Sequence, residues 1–99
     1  MARRILPANE IAQHLTRLPG WAHDGDALVQ TFTFSGFPQA MEFVNAVAET
    51  AETVQHHPDI DIRYTKVTLR YTTHDSGGIT QADIDAAASV QGIADAVRG

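Results

Sequence analysis

Cysteine is absent from all 99 residues, which excludes both a disulfide framework and thiolate chemistry. Basic residues are scarce: seven Lys and Arg stand against twelve Asp and Glu, a formal charge of −5. Phosphate backbones are held by clustered cations, and the single doublet Arg3-Arg4 is no tract, so no direct nucleic-acid partner is expected. No apolar run approaches the roughly 20 residues of a membrane span, and no apolar stretch of secretory type follows the first residues. The expectation is a cytoplasmic protein with no membrane partner. Repeats, linkers and low-complexity segments are also missing. What remains is ordinary for one domain spanning 1–99: with 43% apolar and 19% charged residues, the chain is too apolar for disorder and long enough for a modest core.

The chemistry-bearing residues are concentrated around Glu52-Thr-Val-Gln-His56-His57-Pro58. Glu52 and His56 are four apart and lie on one face if the helix continues that far. Pro58 disfavours helix in the residue before it, so the helix is expected to stop there with the rings of His56 and His57 turned apart. The next segments, Ile60–Tyr64 and Val67–Thr73, alternate apolar and polar as half-buried strands do. With Thr65-Lys66 as a two-residue turn, Tyr64 would face Val67, Ile62 would face Leu69 and Ile60 would face Tyr71. Extending that register sets His57 opposite His74. Glu52, His56, His57 and His74 are therefore expected to share a pocket at the end of the sheet.

The rest of the chain supplies a scaffold. Pro7 to Leu18 reads as a short helix ended by Pro19-Gly20. Trp21 opens a brief strand, Asp24-Gly25 marks a hairpin and Leu28 to Phe34 returns. A long helix from about Phe37 to His56 carries the stripe Phe37, Ala40, Met41, Val44, Val47, Ala48, Ala51 and Val54. Asp75 to Gly78 forms a loop, and Thr80-Gln-Ala-Asp83 starts the last helix as a capping box. The order α-β-β-α-β-β-α predicts a two-layer α+β domain, a four-stranded antiparallel sheet with its helices on one face. The other face would carry Thr31, Thr33, Arg63, Thr68, Arg70 and Thr72, polar enough to be wet or to meet a partner.

Each polar residue also has a structural explanation. His14 and His23 read as ordinary surface histidines, Asp83 as a helix cap, and Glu52 as one half of a surface pair contributing about 0.3–0.5 kcal/mol. Convergence is what favours chemistry. A divalent metal site is one possibility, since His and Glu at i, i+4 is a known zinc spacing, but adjacent histidines rarely chelate one ion and no standard zinc motif is present. Metal-free proton transfer fits better: histidine exchanges protons near neutral pH as a substrate loses water, with Glu52 orienting His56.

Glu52-x-x-x-His56-His57-Pro58, Tyr64, Thr73-His74 and Gly78-Ile-Thr80 leading to Asp83 together resemble the pterin-4a-carbinolamine dehydratase family. The likeness extends from Leu18-Pro-Gly-Trp21 through Phe32-Thr-Phe34 to the last helix. It implies dehydration of 4a-hydroxytetrahydrobiopterin to quinonoid dihydropterin in tetrahydrobiopterin recycling, with no metal and no cofactor. It further implies that His56 and His74 are the acid/base pair, supported by Glu52 and Asp83. His57, Pro58, Thr73 and Asp75 would bind the pterin, and the protein would form homodimers or homotetramers. Relatives with this fold also serve as protein-binding or assembly modules, which is the alternative role.

Overall fold

Strands form where the sequence alternates, and helices form where apolar residues recur every three or four positions. In a computed structural model describing residues 3–99, the elements are α1 (Ala8–Leu15), β1 (Ala22–Asp24), β2 (Ala27–Thr33), α2 (Phe37–Val54), β3 (Asp59–Arg63), β4 (Lys66–Tyr71) and α3 (Gln81–Arg98). The strands make one antiparallel sheet in the order β1-β2-β4-β3. This is the expected α+β order. Leu28, Phe32, Val67, Leu69 and Tyr71 are buried on the inward face, beneath α2 and α3. Thr31 and Thr33 point outward and are exposed, and the Thr31 and Thr68 hydroxyls meet across the strands at 2.7 Å. Thr72, assigned to this polar face from the sequence, is instead buried, its hydroxyl donating to the Asp26 carbonyl at 2.5 Å.

The buried side of α2 differs from the expected stripe. Ala40, Phe43, Val47 and Ala51 face the core, whereas Phe37, Ala48 and Val54 are exposed and Met41 and Val44 are half-buried. Phe43, which the stripe omitted, sets the orientation. Its ring centroid lies 4.9 Å from Phe32 and 4.8 Å from Phe34, and a fully buried aromatic outweighs the smaller residues on the neighbouring line. α1 is also shorter than its pattern suggested. It ends at Leu15, and the Leu18 N–H closes a tight turn on the Leu15 carbonyl at 3.1 Å while Leu18 still reaches the core.

Two local departures reposition the residues of interest. The β3–β4 register pairs Ile62 with Val67 and Ile60 with Leu69, so the turn is Tyr64-Thr65 and not Thr65-Lys66. Tyr64 takes the corner at φ 55 and is 73% exposed, so it faces no partner strand. A shift of two residues keeps every side chain on its own face, and alternation alone therefore cannot distinguish the registers. His57 is consequently not opposite His74, and pairing ends at Asp59 with Arg70. The second departure is at the end of α2. Gln55 adopts the left-handed conformation at φ 54, and the His56 N–H returns to the Ala51 carbonyl at 3.1 Å. That is a Schellman-type closure, so the helix stops before His56 rather than at Pro58.

Candidate active site

Because α2 closes at Gln55, His56 leaves the helix and turns inward instead of stacking above Glu52. Its Nε2 lies 2.6 Å from Asp83 Oδ1, with His56 9% and Asp83 0% exposed. A carboxylate only accepts hydrogen bonds, so Nε2 carries the hydrogen and Nδ1 is left for other work. The expected pairing of Glu52 with His56 is thus replaced. Glu52 Oε2 instead meets His57 Nε2 at 2.5 Å, both side chains being exposed to solvent.

Asp83 is the hub of this arrangement, and its capping box explains why it is buried. Thr80 caps α3 and Asp83 occupies the third helical position, accepting the Thr80 N–H at 2.9 Å through Oδ2. The same oxygen accepts the Thr73 hydroxyl at 2.8 Å. With its hydrogen so committed, Thr73 accepts from the Thr80 hydroxyl, also at 2.8 Å, and Thr80 accepts from the Ala82 N–H at 3.2 Å. Oδ1 is left for His56. The helix start, the strand end and the histidine are therefore locked to one carboxylate, both of whose oxygens are engaged.

Thr73 also bonds to Gly78 as an isolated antiparallel bridge, which folds His74 and Asp75 back as an exposed turn. In consequence His56, His57, Thr73, His74 and Asp75 line one cavity of about 230 Å³. Glu52 and Pro58 stand outside its lining, Glu52 touching it only through His57, and Asp83 lies beneath it behind His56. Three histidines from two chain segments thus face one space, though by a route other than the expected register. Among the described residues, no group of three or more His, Cys, Asp or Glu is arranged to hold a metal ion.

Two neighbours escaped the sequence reading. The Tyr71 ring lies nearly parallel to that of His56, with centroids 6.0 Å apart and planes 19° apart. Burial first, and then the Asp83 charge, push the Tyr71 phenol up to about 12. Its folded-state value thus exceeds its unfolded value of about 10. Stability is then fully present below pH 10 and is lost as pH rises from 10 towards 12, because the unfolded chain gives up that proton first. Alkaline unfolding should therefore steepen in that window for the parent and much less for Tyr71→Phe; identical curves would contradict the assignment. Arg3 is the other. It lines the histidine cavity, and its carbonyl accepts the Ser76 hydroxyl at 2.7 Å. Only Tyr71's place in the strand alternation hinted at the first, and nothing in the sequence at the second.

The family model for pterin 4 alpha carbinolamine dehydratase matches residues 4–93. A Thermosynechococcus vestitus protein named as a pterin-4-alpha-carbinolamine dehydratase is 50% identical, the match covering 95% of this chain and 98% of that protein. The crystal structure of a transcriptional coactivator/pterin dehydratase from Brucella melitensis superposes with a TM-score of 0.88 at 33% identity, covering 92% of this chain and 99% of that one. A pterin dehydratase-like protein identified as a RuBisCO assembly factor in the alpha-carboxysome gives a TM-score of 0.62 at 25% identity, covering 75% of this chain and 86% of that one.

Proposed function

The chain belongs to the pterin 4 alpha carbinolamine dehydratase family, and from that premise we propose that it dehydrates 4a-hydroxytetrahydrobiopterin to quinonoid dihydropterin in cytoplasmic tetrahydrobiopterin recycling. The observation that carries this reading is the placing of His56, His57 and His74 on one small cavity. One histidine protonates the hydroxyl on C4a; the C4a–O bond breaks and water leaves. The N5 lone pair forms the C4a=N5 bond, and the N5 proton passes to a base. The reaction moves two protons and no net electrons, which is within the reach of histidines alone.

His56 and His74 take the acid/base roles, entering from different segments and so from different sides of the substrate. Asp83 fixes the His56 tautomer with Nε2 protonated, leaving Nδ1 to exchange the catalytic proton. Thr73 and Asp75 border the ring, Pro58 holds His57 in extended backbone, and Glu52 orients His57. A carbinolamine sample monitored by absorbance should decay faster with the protein than in buffer. Decay at the buffer rate would contradict the reading. His57→Ala should raise KM more than it lowers kcat, as expected when binding is lost equally from ground and transition states. A fall confined to kcat would move His57 into the proton-transfer group.

Assembly into homodimers or homotetramers belongs to the same proposal. It is supported by the edge position of β3, where Ile62 is 38% exposed and Tyr64, in the adjoining turn, is 73% exposed. The alternative, a non-catalytic assembly module on the same fold, has its support in the RuBisCO assembly factor of similar architecture. That alternative does not call for three histidines on one cavity.

A further inference from the structure

A second, larger cavity of about 550 Å³ lies between the C-terminal half of α2 and the first turns of α3. It meets the histidine cavity at Arg3 and His56, which line both. The histidine cavity, at about 230 Å³, falls below the roughly 300–1,000 Å³ of sites that enclose a drug-sized ligand; it suits a ring system but not a long appendage. The larger space is within that range. Ala51, Val54, Ala86 and Tyr71 give it apolar walls, and Arg3 and Arg4 stand over it.

The two arginines are not equivalent. Arg4 is engaged by Glu10 in a two-pronged ion pair at 2.9 and 3.2 Å, an interaction that raises its pKa. Arg3, among the described residues, makes no ion pair. Its backbone is nevertheless tied down: Ser76 donates to its carbonyl, and three residues on, the Leu6 N–H donates to the Ile79 carbonyl at 2.8 Å. The arm is thereby laid along the loop that follows His74, and Arg3, whose guanidinium makes no ion pair among the described residues, lines both cavities. Two carboxylates oppose an anion here: Asp85 lines the larger cavity, though its Oδ1 already accepts from Gln81 at 3.0 Å, and Asp75 lines the histidine cavity that Arg3 shares.

We propose that the larger cavity holds the substituent of the pterin, and that Arg3 selects substrates whose substituent is an apolar or aromatic linker ending in an anion. This rests on the reading that the histidine cavity takes the ring. A guanidinium binds carboxylate and phosphate alike through paired N–H groups, so both terminal groups belong to the class.

The test compares three 4a-carbinolamines: one with a short neutral hydroxyalkyl substituent, one with an aminobenzoyl-dicarboxylate substituent and one ending in phosphate. For the parent, kcat/KM should be at least about tenfold higher for one or both anionic substrates, the size expected of one charge-assisted contact. The stronger of the two identifies the terminal group. Arg3→Gln should remove that preference chiefly through KM, and added salt should weaken it in the parent. Equal kcat/KM for all three, or an equal loss for all three in Arg3→Gln, overturns the inference while leaving the dehydratase reading intact. Turnover of none of the three overturns that reading and this inference with it.

Discussion

Changing His56 and His74 together to alanine is expected to bring carbinolamine dehydration down to the rate in buffer. Removing an acid/base group typically costs about 10²–10⁴-fold in rate. If the two serve opposite faces of the ring, each single variant loses one stereoisomer of the carbinolamine and keeps the other. The variants also differ in their structural cost. His74 is exposed, so His74→Ala should melt like the parent. His56→Ala leaves Asp83 Oδ1 buried without its partner, a loss of about 1–3 kcal/mol, so melting must be recorded alongside kinetics. A folded double variant that still turns over both isomers would show that this cavity is not where the chemistry happens.

Asp83→Ala is expected to damage both stability and rate. It strips three donors of their acceptor at once, namely the Thr80 N–H, the Thr73 hydroxyl and His56 Nε2, in a position with no exposure. Each buried donor left without an acceptor costs about 1–3 kcal/mol, so three together threaten a total of about 5–15 kcal/mol for a domain. Asp83→Asn keeps the shape and much of the capping, and it isolates the positioning role. Its side-chain amide can present a donor to Nε2, which would reverse the His56 tautomer. The isomer served by His56 should then slow by about 10²-fold or more, while the isomer served by His74 keeps most of its rate. An equal loss on both isomers would reduce Asp83 to a structural cap.

The parts of this fold legible in the sequence are those written as periodicity. Alternation in Val67-Thr-Leu-Arg-Tyr71 marked a half-buried strand, and Thr80-Gln-Ala-Asp83 marked a helix start, because those patterns are local consequences of burial and backbone donors. The hairpin register was not legible. Pairing Ile62 with Val67 or with Leu69 buries the same face, and the choice fell to a tyrosine that accepts a positive φ. The end of α2 was hidden for a related reason. Pro58 only bounds where a helix can stop, whereas the actual stop depends on glutamine at position 55 adopting a left-handed conformation that its side chain does not advertise. That one backbone choice turns His56 away from Glu52 and into Asp83, 27 residues distant in sequence, where no spacing rule reaches. The pocket expected to hold Glu52, His56, His57 and His74 is lined by the three histidines without Glu52, and alternation and spacing do not show the contacts that hold them.

If these three histidines surround the pterin ring, a stable dihydropterin titrated into the protein and followed by ¹H–¹⁵N NMR should perturb their ring resonances. The chain contains five histidines, and two of them, His14 on α1 and His23 on β1, lie outside the cavity and serve as internal controls. His56, His57 and His74 are expected to shift together along one saturating curve, while His14 and His23 stay where they were. Saturable binding that leaves all three cavity histidines unmoved, or that shifts His14 or His23 instead, would contradict that placing of the ring.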